Sequence, residues 1–304
     1  MGAGGVGGFF GGRLAHAGCD VTFIARGAHL AAMRARGLTI ESAAHGDIHV
    51  PKVQATDDAG TIGAADLVII AVKLWAMDAA IAAVRPAVGP ETAVLSLQNG
   101  VIKDDILKRE FGENAVMGGV GYVATHIARP GVIKQTGTLQ RIVFGEYDGR
   151  RSRRAETLLE ALLKSGVQAE ISDDIRRTLW EKYVFLVGLA GTTATMRMPI
   201  GPIREHPQTR AFLFDILKET VAVGRALGVA LPENYADDRL AFADSVAADM
   251  TSSLHHDLEA GNPLEVEWLN GGVVRLGREA GVATPCNRAV WDILALHARG
   301  RGGK

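Results

Sequence analysis

Lys182 stands in an otherwise apolar run, Trp180-Glu181-Lys182-Tyr183-Val184-Phe185-Leu186. A lysine so placed either snorkels to water or aims its ammonium into a pocket. In a pocket it can hand a proton to a carbonyl oxygen that is gaining charge. Glu265, in Gly261-Asn262-Pro263-Leu264-Glu265-Val266-Glu267, falls at an expected helix start, where the dipole favours an acid in any case. Lys73 follows the run 66–72 (DLVIIAV), and Gln98-Asn99-Gly100 follows the run 92–97 (TAVLSL). Read as parallel strands, these runs put Lys73 and Asn99 at carboxyl ends, the ligand side of an open α/β sheet. By position alone Lys73 is equally well a solvated lysine, Gln-Asn-Gly a turn, and Lys182 and Glu265 structural.

The chain opens Met1-Gly2-Ala3-Gly4-Gly5-Val6-Gly7, and Gly2, Gly4 and Gly7 satisfy G-x-G-x-x-G. Gly2 would make the tight turn, Gly4 would let backbone approach a pyrophosphate, and Gly7 would let the helix pack on the sheet. Gly5 and Val6 open that helix, whose N-terminus faces the phosphates. A helical segment at 9–17 and the β-rich run 21–25 (VTFIA) follow at βαβ spacing, which favours dinucleotide binding over a merely glycine-rich turn. Where an NAD site has Asp or Glu after the second strand, this chain has Arg26, with His29 nearby. A cation there suits the 2′-phosphate of NADP, so the cofactor expected is NADPH; the alternative is an ordinary solvated arginine. Such a fold also needs a strand before its first glycine, and only Met1 precedes Gly2. The reading therefore expects the central strand to be missing from this sequence and Met1 to be an internal methionine at its end. The phosphate turn would then be held at one end only and bind NADPH weakly.

These residues need elements to carry them. An Ala-rich helical segment at 75–84 lies between the two buried runs, which is βαβ grammar with right-handed crossovers. Strands at 132–135 and 141–147, joined by turns containing Gly137, precede a helix near 153–165 and a strand at 167–171. After Ser172 apolar residues recur at helical spacing, predicting helices over 173–195, 208–227, 242–260, 264–280 and 288–297. The fold class is α/β: an N-terminal Rossmann-type doubly wound sheet lacking its first strand (1–172), then an all-helical C-terminal domain (173–304). Ligands in such proteins are expected in the cleft between domains.

The 304 residues, 22% charged with a net charge of -1, carry no field to hold nucleic acid or an anionic membrane. Arg150, Arg151, Arg153 and Arg154, without interleaved aromatics, read as a solvated helix start. Cys19 and Cys286 read as buried thiols of a reducing compartment, with no zinc spacing around them. The apolar run 183–196 is too short for a bilayer and the N-terminus has no basic signal region, so a cytoplasmic protein is expected. The Gly- and Arg-rich tail 299–304 is expected to fray.

Taken together, the glycine fingerprint, Phe23-Ile24-Ala25-Arg26, Ala71-Val72-Lys73, Gln98-Asn99-Gly100, Trp180-Glu181-Lys182, Ser252-Ser253 with Asp257, and Glu265 ahead of Asn270-Gly271 resemble the ketopantoate reductases (2-dehydropantoate 2-reductases) over nearly the whole chain. The resemblance implies reduction of ketopantoate to pantoate by NADPH. It implies Lys182 as general acid, and Glu265 as the carboxylate that holds substrate and steadies the lysine. Ser253 would hydrogen-bond the substrate carboxylate, Asn99 would lie between cofactor and substrate, and Lys73 would sit on the cofactor side. A homodimer is compatible with this reading. Four positions depart from the family pattern: Leu186, Ala190, Ile200 and Met250 stand where asparagines are usual. A pocket without those amides should bind a polyfunctional hydroxy acid less well. Arg197, His255 and His256 are conceivable substitutes, though a structural or surface role is the better expectation for them. The alternatives kept are a reductase of another 2-oxo acid or imine, and an NADP-binding sensor without turnover, which would need neither Lys182 nor Glu265.

Overall fold

A computed structural model describes residues 1–302, which divide into two compact units. The first comprises residues 1–98 and 103–178, and the second residues 99–102 and those from 179 onward.

In the first unit the strands are β1 (Thr22–Ile24), β2 (Leu38–Ser42), β3 (Ile48–Val50), β4 (Gln54–Thr56), β5 (Leu67–Ile70), β6 (Ala93–Ser96), β7 (Val116–Arg129), β8 (Val132–Gly145) and β9 (Gln168–Ile171). Its helices are α1 (Gly5–His16), α2 (Gly27–Arg36), α3 (Met77–Val84), α4 (Lys103–Phe111) and α5 (Arg153–Lys164). α3 buries Met77, Ala80, Ile81 and Val84, the i, i+3, i+4, i+7 stripe of a helix on a sheet. β5 and β6 pair in parallel, as their buried apolar runs require.

The sheet is mixed rather than wholly parallel. β7 and β8 form a long antiparallel hairpin; the two short strands expected around Gly137 are one element, β8, but its register against β7 breaks at 137–139, where Gly137 turns at φ +73°. The hairpin begins on glycines because nothing larger fits. A Cβ on Gly118 would lie 2.6 Å from Ile175 Cγ1, and one on Gly119 2.6 Å from Leu95 Cδ1.

Strand pairing is interrupted at the centre. β1 and β4 form a separate two-stranded sheet, and the larger sheet ends at β5. Between them runs the backbone of Met1 and Gly2. The Met1 ammonium donates to Ile69 O (2.6 Å), Met1 O accepts from Ala71 N (2.9 Å), and Gly2 N donates to Ile24 O (3.1 Å). The pattern against β5 is that of a parallel bridge, so Met1 occupies the last rung of a central strand and ties the glycine turn to both edges. This corrects the expectation of a turn held at one end. Before that rung lies a cavity of about 1960 Å³ lined by Thr22, Phe23, Leu67, Ile69, Met117 and Leu158. Burial drives the pKa of the Met1 ammonium down from 8.0 to about 5.

The second unit holds most of α6 (Ile175–Met196), and α7 (Ile200–Glu205), α8 (Pro207–Ala226), α9 (Tyr235–Ser245), α10 (Ser253–Ala260), α11 (Asn270–Ala280) and α12 (Pro285–Leu294). Val184, Val187, Leu213, Ile216, Leu217, Val273 and Val290 form the middle of its core. The expected helix 242–260 is two helices: α9 ends at Ser245, and α10 restarts where the Ser252 hydroxyl accepts from His255 N (3.1 Å).

Three smaller expectations also change. Arg154 is not a solvated helix-start residue, since it forks onto the buried Glu146 at 2.7 and 2.6 Å, while Arg150, Arg151 and Arg153 are exposed. Cys19 and Cys286 are free thiols, half-buried rather than buried. Arg301 N donates to Gly261 O, so the tail is tied down at that residue; Gly303 and Lys304 lie outside the described residues. Among the described residues no helix is long and apolar enough to cross a membrane.

Candidate active site

The glycine turn is built for close approach. Gly2 has φ +85°, and a Cβ there would lie 2.6 Å from Val72 Cγ1, which places the turn beside the strand end that carries Lys73. A Cβ on Gly7 would lie 2.3 Å from Gly2 O and one on Gly5 2.4 Å from Thr125 O, so α1 packs directly on the turn and on β7. Gly4 differs: a Cβ there would meet nothing within 4 Å. Its open side adjoins the N-terminus of α1, where Gly4 supplies no side-chain cap and the first turn contains no acid. Backbone N–H groups and the helix dipole at that point suit an anion of pyrophosphate type. Val6, behind them, packs against the sheet core.

Arg26 caps α2 in extended conformation directly after β1, and it is exposed. His29 is not a second cation. Its Nδ1 accepts from Gly131 N (3.1 Å), and burial lowers its pKa, opposed by the Ala3 carbonyl. Lys73 is half-buried and caps the short 3₁₀ turn Leu74–Ala76. The glycine turn and the N-terminus of α1 thus fit the pyrophosphate of a dinucleotide.

In the helical unit, Lys182 is half-buried on α6 beside the buried Tyr183 and Val184. Tyr183 Oη donates to Trp268 O (3.0 Å) and Leu269 O (2.7 Å), fixing this part of α6 against the segment that follows Glu265. Lys182 Nζ donates to Asn99 Oδ1 at 2.9 Å. This joins two of the residues expected to act together. Glu265, 5% exposed, begins the 3₁₀ turn Glu265–Glu267 rather than a long helix, and its carbonyl accepts from Trp268 N and Leu269 N. Ser253 is the exposed first residue of α10, whereas Ser252 is a buried cap that also hydrogen-bonds Thr193 (2.8 Å).

The four apolar positions are packed rather than presented. Ile200 and Ala190 are 0% and 1% exposed in the helical core, and Leu186 and Met250 lie partly buried against it. His255 is buried with Nδ1 on Thr251 (2.6 Å), and Arg197 is exposed with φ 52°, a helix-end conformation that favours glycine. Asn270 is fully buried and donates to Asn287 Oδ1 (3.0 Å), facing Gly191 where a Cβ would lie 2.8 Å from its Nδ2. Its part is helix packing. The sequence reading missed Lys103, the fully buried first residue of α4; Lys103-Asp104-Asp105 looks like an ordinary charged helix start.

Two family descriptions match the chain: "Ketopantoate reductase PanE/ApbA" over residues 1–149 and its C-terminal counterpart over residues 174–298. The chain is 32% identical to an uncharacterized oxidoreductase, YkpB, of Bacillus subtilis, covering 98% of this chain and 97% of that one. It is also 32% identical to a 2-dehydropantoate 2-reductase of Mesorhizobium japonicum, covering 99% and 98%. Its structure is similar to a PanE/ApbA family ketopantoate reductase from Ralstonia eutropha, with 34% identity, a TM-score of 0.89, and coverage of 98% and 97%. With a glycine turn open to an anion in one unit, a lysine bonded to an asparagine in the other, and both halves matched in order, the chain belongs to the ketopantoate reductase family of oxidoreductases.

Proposed function

We propose that this protein reduces the ketone of a small 2-oxo acid with NADPH, the reference reaction being 2-dehydropantoate to pantoate. The observation that carries the reading is the 2.9 Å bond from Lys182 Nζ to Asn99 Oδ1. When bound, the reduced nicotinamide supplies the hydride. In this reading the half-buried Lys182 ammonium supplies positive charge and a proton to the oxygen that becomes an alkoxide. Asn99 fixes the direction of that ammonium through Oδ1 and turns its Nδ2 donors to the substrate. Glu265 holds the substrate and steadies the lysine, and Ser253 hydrogen-bonds the substrate carboxylate. Gly2, Gly4, Gly5, Val6 and Gly7 cradle the pyrophosphate, with Lys73 alongside, and Arg26 pairs with the 2′-phosphate.

A second reading, another 2-oxo acid in place of ketopantoate, is favoured by one observation. Leu186, Ala190, Ile200 and Met250 all pack on the helical core, so none offers a hydrogen bond from its side chain. A site without such donors discriminates weakly among hydroxylated acids. The experiment is a screen of NADPH oxidation over a panel of 2-oxo acids including ketopantoate, with Lys182→Ala as control. Turnover of ketopantoate with the highest efficiency of the panel supports the first reading. Preference for a less polar acid supports the second, and no turnover on any 2-oxo acid overturns both.

A further inference from the structure

Lys103 is 0% exposed and Asp104 1%, a fully buried ion pair. Lys103 Nζ donates to both Asp104 carboxylate oxygens and to Ser96 O, each at 2.9 Å, so its three N–H groups have three acceptors. Asp104 Oδ2 also accepts from Tyr147 Oη (2.7 Å), and Lys108 Nζ lies 3.5 Å from the Tyr147 ring centroid. A buried ion pair is a poor stabiliser, because desolvation offsets most of its attraction and apolar replacements are often neutral or better. Its value has to be sought in geometry.

That geometry closes a loop. Ser96 ends β6 and Lys103 begins α4, so the Lys103–Ser96 bond joins the two ends of the excursion 97–102. Residues 99–102 of this excursion belong to the helical unit, although the chain on either side belongs to the sheet unit. Within it Gln98 folds back, with Gln98 N donating to Ser96 Oγ and Ser96 Oγ donating to Gln98 Oε1. Gly100 turns the chain at φ +96°, and Val101 packs on the helical core. Asn99, at the tip, accepts from Lys182.

We propose that Lys103 is a positioning residue: its buried pairing with Asp104 pins the base of the 97–102 loop and so holds Asn99 at Lys182. The claim that this matters for turnover rests on the function proposed above. Misplacement of a substrate-orienting group by about 1 Å can cost on the order of a hundredfold in rate.

Lys103→Met alone leaves Asp104 buried without its cation and can fail to fold. The double variant Lys103→Met/Asp104→Leu removes both charges, so no unpaired ion is left buried; it lacks the tie to Ser96, and the Tyr147 hydroxyl and the Ser96 carbonyl each lose one partner. Expected are a folded protein with a somewhat lowered melting temperature from the two lost hydrogen bonds, unchanged NADPH affinity, a fall in kcat of about ten- to a hundredfold, and faster amide exchange confined to residues 97–102. A stable double variant with parental kcat and parental exchange in 97–102 overturns the proposal. The exchange measurement needs no substrate, so it stands if the proposed reaction fails. Lys182→Ala, assayed in parallel, separates the cases: parental turnover there sinks the reaction assignment, not the loop anchor.

Discussion

Lys182 Nζ and Asn99 Oδ1, 83 positions apart in sequence, lie 2.9 Å apart, so the ammonium is oriented by an amide; in the function proposed above it is the proton donor. Substitution should therefore strike chemistry rather than cofactor binding. Lys182→Ala is expected to lower kcat by about a hundredfold to ten-thousandfold, the usual yield of general-acid help, with NADPH affinity unchanged. Steady-state kinetics beside a fluorescence titration of NADPH decides it, and a near-parental kcat removes Lys182 from the reaction.

Arg26 provides a separate test. A charge-assisted contact to the 2′-phosphate is worth roughly 1.5–3 kcal/mol, or about ten- to a hundredfold in affinity. Arg26→Ala should weaken NADPH by that factor and leave NADH binding where it was. Equal affinities of the parent for the two cofactors would show that Arg26 is a solvated strand-end residue.

The departures from the family pattern can be tested through stability. Ile200 is fully buried, so Ile200→Asn puts an amide into the helical core and should destabilise by ~2–4 kcal/mol. Leu186, only partly buried, should accept Asn with a smaller loss. Thermal melts of the two variants give the ordering. A stable Ile200→Asn with improved ketopantoate turnover would mean that this position still opens onto substrate.

The Met1 amine makes stability depend on pH in a defined direction. Its pKa is about 5 in the folded chain and 8.0 as the ordinary value, so between these pH values the unfolded chain holds a proton that the folded one does not. Folding stability must then rise from pH 5 to 8, by up to ~4 kcal/mol, with the full cost present below pH 5. Preceding Met1 by about seven apolar residues, a strand's length, replaces the ammonium with an amide. Melts of both forms at pH 5 and 8 should show a higher, less pH-dependent transition in the longer one. Identical curves would mean that the Met1 ammonium does not set the pH dependence.

Much of this was legible in the residues because their types are demanding. Gly2, Gly4 and Gly7 mark a turn that no Cβ would survive at two of the three positions, and the buried runs before Lys73 and Asn99 admit little but parallel strands. The long hairpin was only partly legible. Val116–Arg129 begins with Gly118, Gly119 and Gly121, which blur alternation, although contact with Ile175 and Leu95 is what requires the first two. The break between α9 and α10 hid behind apolar residues that keep helical spacing through Val246 and Met250, and only the Ser252 cap signals it. Lys103 was invisible because a lysine before two aspartates looks solvated. Its pairing is completed by the carbonyl of Ser96, across the loop, and by Tyr147 on Asp104, 43 positions on, and neither contact can be read from the run itself.

The two-stranded β1–β4 sheet has only three paired positions, and Arg26 extends from its end. Laterally it is fastened to the larger sheet by the backbone of Met1 and Gly2, and it packs on α1 through Phe23 and on α2, where Arg34 Nε donates to Ala55 O (3.0 Å). Such a corner is the natural first segment to open while the rest stays folded, and it exposes the stretch around 20–60 to proteases. A dinucleotide gripped both by the glycine turn and by Arg26 would act as a clasp across that seam. At a hundred times its dissociation constant it would add ~2.7 kcal/mol against opening. Resistance of this one segment to limited digestion would thus report cofactor occupancy more sharply than the unfolding of the whole chain.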